Sequence, residues 1–488
     1  MTLEALAATL DGATADGPLA VEVTAVVHDS RSVSPGAVFV ALRGARRDGG
    51  AFVADAIARG ASAVVLDRAH AAALLPLPAG ATAIVVEDEA RALSRLAAAF
   101  YGRPSQAVLV AGVTGTNGKT TTTHAVAAIL ETAGMPTGRI GTLGAHLGDA
   151  MWPLDNTTPL ADDLQRTLAE MRARGARAVA MEVSSHALAL ERVADVRFAA
   201  GVLTNVTHDH LDFHGTFEAY AAAKRSLFDA AEYGILCSDD PLGRAWSAEL
   251  RAAGRPCTTY GLEDGADVRA TAVETGAAST FAVDGARFAL PLPGRFNVRN
   301  ALAALCVARR FGVADATSAA ALAALPPLAG RMERVGGDGV DVLVDYAHTP
   351  DALDAVLRAA RAMARGRLVV VFGCGGERDR AKRPEMGRIA TALADETIVT
   401  SDNPRAEDPR AIADEVLAGA LPGAAISCDL DRRSAIFRAI GSARAGDVVL
   451  LAGKGHETYQ IAGERAVRFD DREEARAALA SRAAGARA

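Results

Sequence analysis

The sequence predicts an α/β chain of three domains, on three observations. Its 488 residues exceed what a single hydrophobic core organises at about 100–200 residues per domain. Short apolar runs of strand length alternate with Ala-rich, helix-like stretches, the pattern of parallel sheets covered on both faces. With 50% hydrophobic, 23% charged and 5% aromatic residues, the composition is that of an ordered chain. Domains are expected at residues 1–104, 105–327 and 328–488.

In the first domain, AVFVAL at 37–42, ASAVVL at 61–66 and AIVV at 83–86 read as strands, and Pro104 ends the series. QAVLVAGV at 106–113 then reads as a buried strand entering a Gly-rich turn and a helix from about Thr120 to Ala133, with Gly134 as its stop. ARAVAMEV at 176–183, AAGVLTNV at 199–206 and ILCS at 235–238 continue a larger parallel-sheet domain. After Pro326 and Pro327, VDVLVDY at 340–346, RLVVVFG at 367–373, ETIVTS at 396–401 and DVVLLAG at 447–453 predict a Rossmann-like third domain.

A formal net charge of -7 provides no general field for nucleic acid, which is not an expected partner. Cys237, Cys257, Cys306, Cys374 and Cys428 are scattered without C-x-x-C spacing and read as reduced thiols. No run approaches the roughly 18 apolar residues of a membrane span, and the N-terminus lacks a basic leader. A cytoplasmic protein is expected. A monomer is favoured, although the residues do not fix the oligomeric state.

GVTGTNGKTT at 112–121 lies between an apolar strand and a helix. Such a loop turns backbone N–H groups and a helix N-terminus towards phosphate oxygens, with Lys119 reaching the β and γ phosphates and Thr120 available to magnesium. Gly112 stands one position early for a Walker A motif, so the loop is read compactly as Gly115, Thr116, Asn117, Gly118, Lys119, Thr120 and Thr121. No N-K-x-D guanine-reading segment occurs, which favours ATP. The bland alternative is a Gly-rich turn without a ligand.

Glu182 in MEVSSHAL sits near a predicted strand end, where a hard carboxylate suits magnesium. TNVTHDHLDFHGT gathers His208, Asp209, His210, Asp212 and His214 just past another strand. A zinc hydrolase of the H-x-H-x-D-H kind is a rival, but Phe213 stands where that pattern needs histidine.

Taken in order, GVTGTNGKTT, MEVSSH, TNVTHDHLD, YAAAK at 220–224, GRFNVRNALAA at 294–304, LAGRME at 328–333 and VDYAHTPDAL at 344–353 resemble the Mur ligases of peptidoglycan synthesis. The resemblance runs from about Asp29 to Glu457. It implies a three-domain Mur ligase architecture, with a central P-loop parallel-sheet ATPase-like domain and a C-terminal Rossmann-like domain. By the same resemblance Thr120 and Glu182 hold one magnesium ion, and Glu182, His210 and Lys224 a second, with a CO2-derived carbamate on Lys224. Asn300 is implied at adenine, Arg331 and His348 at the phosphates and Asp345 at the ribose; His208 has no implied role. Lys119, Lys224, His210 and Glu182 are the expected catalytic group.

SDNPRAEDP at 401–409, GCGGERDRAKRP at 373–384 and AGKGHETYQ at 452–460 resemble segments of the family members that add meso-2,6-diaminopimelate to UDP-N-acetylmuramoyl-L-alanyl-D-glutamate. Arg378, Asp402, Asn403, Pro404, Arg405, Gly453 and Glu457 are thereby implied as amino-acid contacts. An arginine fork suits the second carboxylate of such a substrate. His28, Ser30, Ala45, Arg46 and Arg47 are implied at the uridine diphosphate end, and Asn156, Thr157, Thr158, Ser184 and Arg192 at the muramoyl dipeptide. Leu190 departs from the polar residue expected there. The implied reaction runs through an acyl phosphate to ADP, phosphate and a new amide. A lysine-adding sister ligase, a folylpolyglutamate or cyanophycin-type ligase and a non-catalytic nucleotide-binding module remain as alternatives.

Overall fold

The computed structural model describes residues 1–44, 47–336 and 339–485. The N-terminal strands are β1 (Thr14–Asp16), β2 (Val26–Val27), β3 (Val38–Val40), β4 (Ala63–Asp67) and β5 (Thr82–Val86). They form one sheet in the order β1-β5-β4-β3-β2, parallel except for β1.

The central sheet contains β6 (Leu109–Thr114), β7 (Thr137–Gly141), β8 (Gly144–Leu147), β9 (Ala150–Trp152), β10 (Ala178–Glu182), β11 (Ala200–Leu203), β12 (Gly234–Cys237), β13 (Cys257–Gly261) and β14 (Val268–Arg269). Its order is β14-β13-β12-β11-β6-β10-β7-β8-β9. The central domain departs from the parallel pattern read from the sequence at two places. β8 and β9 run antiparallel as a hairpin edge, and β15 (Thr271–Thr275), β16 (Ser279–Val283) and β17 (Ala286–Leu290) form a separate antiparallel sheet. The reason lies in turn chemistry: Asp284 and Gly285 both take positive φ, 50° and 82°, the two-residue turn that matches strand twist in a hairpin.

The C-terminal sheet is built from β18 (Glu333–Arg334), β19 (Asp341–Asp345), β20 (Leu368–Phe372), β21 (Glu396–Val399), β22 (Ile426–Cys428) and β23 (Val448–Ala452), in the order β18-β19-β23-β20-β21-β22. All but β18 are parallel. A hairpin of β24 (Tyr459–Ala462) and β25 (Arg465–Arg468) follows. Alternate residues of each strand enter opposite apolar layers: Leu368, Val370 and Phe372 face one, Val369 and Val371 the other.

Several helices over these sheets start at side-chain caps, as where Asp88 accepts from Arg91 N, Thr349 from Ala352 N and Asp431 from Ser434 N. The helix Lys119–Thr132 differs. It starts at the left-handed Gly118 with no side-chain cap, which leaves its first-turn amides open to an anion.

Two arginines are fully buried in the C-terminal domain. Arg432 donates from Nε and Nη2 to Asp471 at 2.7 and 2.6 Å, tying the helix Arg432–Ser442 to the last helix, Asp471–Gly485, and both partners are 0% exposed. Arg383 donates to Glu407, Glu415 and Gly375 O, joining the segments that flank the Asp402–Arg405 loop. Arg432→Met strands the Asp471 carboxylate in an apolar layer. Urea unfolding should show the C-terminal domain destabilised by about 3–5 kcal/mol, with most of the loss recovered in Arg432→Met/Asp471→Leu.

Candidate active site

Three adjacent parallel strands end at one edge, and the site grows from their ends. β6 lies between β10 and β11, with Glu182 in register with Val113 and Leu203 with Thr114. The residues that follow therefore meet at the carboxyl edge, where the crevice of an open α/β sheet forms.

The phosphate loop is held by the segment after β11. Thr116 N donates to Asn205 O at 2.9 Å and Asn117 N to Asn205 Oδ1 at 3.0 Å, while Thr204 Oγ1 donates to Asn117 O at 2.6 Å. The first two loop amides thus brace the loop, and the amides at the head of the helix Lys119–Thr132 are the ones offered to an anion. Gly115 has φ 145°, and a Cβ there would overlap Thr204 Oγ1; at Gly118, φ 90°, it would overlap Asn300 Oδ1. Only glycine fits at either place.

Lys119 curls over the loop, its Nζ donating to Gly115 O at 2.8 Å and Thr116 O at 2.9 Å. Lys224, on the helix Phe217–Ala230, is buried and donates to the same Gly115 O at 2.8 Å, with its Nζ 4.5 Å from the Tyr220 ring centroid. Burial pushes the Lys224 amine well below the ordinary lysine range, and the neighbouring Lys119 pushes the same way. Lys119 is also lowered by burial, against the pull of Glu182 and Asp209.

Glu182 is 1% exposed and accepts from Thr142 N at 3.0 Å and Thr142 Oγ1 at 3.1 Å. His210 has φ 54°, a left-handed backbone, and its Nε2 lies 3.3 Å from Asp209 Oδ2. Burial raises the Asp209 carboxyl, but His210, His348, Lys382 and Lys119 outweigh it and hold the group below the ordinary carboxylate range. His210 is itself lowered by burial. Of the other histidines in the run, His208 packs beside Phe217 at 4.9 Å and His214 beside Tyr220 at 5.3 Å between ring centroids.

The C-terminal domain closes the other wall. Arg331 Nη2 donates to Thr120 Oγ1 at 3.0 Å, and its guanidinium lies 4.8 Å from the Tyr346 ring centroid. Asp345, at the end of β19, accepts from Met332 N and Ala347 N, and His348 Nδ1 lies 2.8 Å from Tyr346 O. Between the walls is a cleft of about 420 Å³ that Thr116–Thr121, Glu182, His210, Asn300, Arg331, Asp345 and His348 all line. Lys224 meets the loop at the Gly115 carbonyl.

The residues expected at the nucleotide sugar are divided. His28 donates from its backbone N to Asp162 Oδ2 at 3.1 Å, and its Nδ1 lies 2.8 Å from the same oxygen; burial lowers the imidazole, but Asp162 outweighs it and leaves His28 raised. Ser30 is buried, Arg47 is exposed, and Ala45 and Arg46 lie outside the described residues. Thr157 and Ser184 line the cleft. Thr158 Oγ1 is buried, donating to Glu182 O and accepting from Ser184 N, while Arg192 Nη1 donates to Thr158 O. Asn156 is half-buried, and Leu190 is 40% exposed.

A second cluster of expected site residues gathers at the carboxyl ends of β20, β21 and β23. Asn403 donates from Nδ2 to Glu457 Oε2 at 2.8 Å, and a Cβ on Gly453 would press on Asp402. Arg405 has φ 53°, its N donates to Ile461 O at 3.1 Å, its O accepts from Gly463 N at 2.7 Å and its Nη1 donates to Gly376 O at 2.7 Å. Pro404 O accepts from Glu407 N, and Arg378 is exposed beside Gly375. Tyr346, which lines the nucleotide cleft, has its hydroxyl 3.5 Å from Glu457 Oε1. The two sites thus share one wall.

Sequence reasoning assigned no role to Asn205, Thr142, Asp162, Tyr220 or Tyr346. Asn205 lies inside the TNVTHDHLD motif, but its partner Asn117 is known only from the fold.

The Mur ligase family, catalytic domain model matches residues 22–101, the Mur ligase middle domain model residues 113–308, and the Mur ligase, glutamate ligase domain model residues 330–455. A UDP-N-acetylmuramoyl-L-alanyl-D-glutamate--2,6-diaminopimelate ligase of Gloeobacter violaceus is 46% identical over 473 residues, covering 95% of each chain. One of the same description from Thermosynechococcus vestitus is 47% identical over 475 residues, covering 94% of each. The solved structure of a UDP-N-acetylmuramoyl-L-alanyl-D-glutamate--2,6-diaminopimelate ligase is 32% identical with a TM-score of 0.66, covering 94% of this chain and 95% of that one. With matches at this level across all three domains, the chain belongs to the Mur ligase family.

Proposed function

We propose that the protein is an ATP-dependent ligase that adds meso-2,6-diaminopimelate to UDP-N-acetylmuramoyl-L-alanyl-D-glutamate. The observation that carries the substrate reading is the Asp402–Arg405 loop hydrogen-bonded to Glu457 beside Tyr346, which also lines the nucleotide cleft. Relatives described as diaminopimelate ligases support it over the lysine-adding alternative. ATP as co-substrate and free cysteines among the described residues support a cytoplasmic setting; among those residues no helix is long and apolar enough to cross a membrane.

In this reading Lys119 and the uncapped helix N-terminus bind the triphosphate and stabilise charge on the γ-phosphoryl group as the substrate carboxylate attacks it. Arg331, reaching Thr120 from the other domain, adds a cation to the same side. Asp402 and Glu457 would hold an ammonium of the incoming amino acid and Arg405 its distal carboxylate, while a free amine displaces phosphate. The Thr120 hydroxyl, the buried Glu182 carboxylate and an anionic oxygen on Lys224 would supply hard oxygen donors that fit magnesium, with His210 a borderline nitrogen donor beside them, and the ion when bound would neutralise phosphate charge. A carbamate on Lys224 is proposed because burial and Lys119 favour the neutral amine to which CO2 adds.

Lys119→Ala is expected to reduce ATP-dependent ligation at least about 100-fold by removing a cation at the transferring phosphoryl group. Turnover near wild type in the folded variant would remove Lys119 from the mechanism.

Labelling with 13C-bicarbonate is expected to give a carbamate resonance in wild type that is absent from Lys224→Ala, with ligation nearly abolished in the variant. A fully active variant, or active enzyme without the resonance, refutes the modification.

Arg405→Ala is expected to lower kcat/KM for meso-diaminopimelate by up to about 10⁴-fold, the scale of losing a buried polar partner, without making L-lysine a good substrate. Comparable wild-type turnover of lysine and diaminopimelate would overturn the substrate reading.

A further inference from the structure

Both carboxylates of the amino-acid pocket lie against a side chain to which nothing above gives a function. Lys454 follows Gly453 at the carboxyl end of β23 and is 0% exposed. Its Nζ donates to Asn403 Oδ1 at 3.1 Å and Glu457 Oε2 at 3.4 Å, and lies 3.5 Å from Asp402 Oδ1. It therefore joins two loops that are 51 residues apart in the chain and belong to different strands. Burying an ammonium is costly, and an apolar side chain of similar volume often stabilises such a position as well or better. A charge here calls for an explanation other than stability.

We infer that Lys454 is a positioning residue for the amino-acid pocket, clamping the Asp402–Arg405 loop to Glu457 and leaving one net negative charge to receive the ammonium of the incoming amino acid. The inference rests on the proposed substrate reading. Two carboxylates against one lysine leave that single charge; without the lysine, Asp402 and Glu457 would be like charges braced across Asn403. Such a pair cannot both stay ionised at low cost in a buried site.

The other groups around Glu457 do not replace the lysine. The Tyr346 hydroxyl lies 3.5 Å away and is neutral, and the Tyr459 ring stands 6.0 Å from the Lys454 ammonium. The Arg432 guanidinium feels both carboxylates but is hydrogen-bonded to Asp471. Arg405 is turned to the Gly376 carbonyl. Glu457 is already raised by burial and by Asp402, with Lys454 and Asn403 opposing. Removing Lys454 raises it further, so its ionisation moves towards neutral pH.

The test uses the full-length enzyme and Lys454→Met, with KM for meso-diaminopimelate, ATP and the UDP-muramoyl dipeptide measured from pH 6 to 9. Folding is checked by thermal melting and ADP binding. The expected result is a KM for diaminopimelate raised about tenfold or more, the scale of losing a hydrogen-bonded charge, with the other two constants within about twofold. The ratio of variant to wild-type KM should be largest at low pH and shrink as Glu457 ionises, and the substrate's own titration cancels in that ratio. An unchanged KM for diaminopimelate, an equal loss for all three substrates, or a ratio constant with pH would overturn the inference. If Lys454→Met does not fold, Lys454→Gln takes its place with the same expectations, and failure of both neutral variants to fold would overturn the inference in favour of a role in stability. No wild-type turnover of diaminopimelate at all is a separate result that removes the substrate reading itself.

Discussion

The closeness of the phosphate loop to the end of β11 and to the helix Arg295–Arg310 is the constraint on which the central site depends. Gly115 and Gly118 allow it, since a Cβ at either would overlap Thr204 or Asn300. Once the loop lies there, Asn205 takes the amides of Thr116 and Asn117, so the loop is rigid before any ligand arrives. A preformed cradle does not have to be ordered at the moment of reaction. The same closeness aims the Gly115 carbonyl at two lysines at once, and the crowding of Lys119 and Lys224 on one oxygen gives the site its unusual electrostatics.

Two clusters of polar residues arise by the same rule in two domains. Parallel strands end together, so the residues after β6, β10 and β11 converge in one domain and those after β20, β21 and β23 in the next. Tyr346, after β19, stands between them, touching Arg331 on one side and Glu457 on the other. Arg331 carries the connection across the domain boundary to Thr120. Chemistry that needs a phosphoryl donor and an amine brought together from different domains is served by such a shared wall.

Backbone conformation adds to this. His210, Met332, Glu377 and Arg405 all have positive φ, between 48° and 54°, and none is glycine. Each costs of order 1–3 kcal/mol and persists only where neighbours over-determine it. For Arg405 those neighbours are visible: the β24–β25 hairpin bonds both its N and its O. The hairpin, whose edge strands are otherwise exposed, thereby supports the Asp402–Arg405 loop.

The sequence by itself determined the α/β class, the phosphate loop with its strand and helix, and the main strands of all three domains. These are local signals: apolar runs of strand length, a Gly-rich turn, Lys-Thr at a helix start. The sequence also marked Glu182 and the 208–214 run as strand-end residues with metal-binding chemistry. The hairpin at 279–290 has a local signal in Asp284–Gly285, which the regular βα alternation around it masks. What only the tertiary structure decided is which distant groups meet. Asp162 reaches His28 across 134 residues, Asn205 reaches Asn117 across 88, and Lys454 reaches Asn403 across 51. The physical reason is that a pairing of this kind depends on strand order and register, set by the packing of whole sheets, and no local pattern in either segment records the partner.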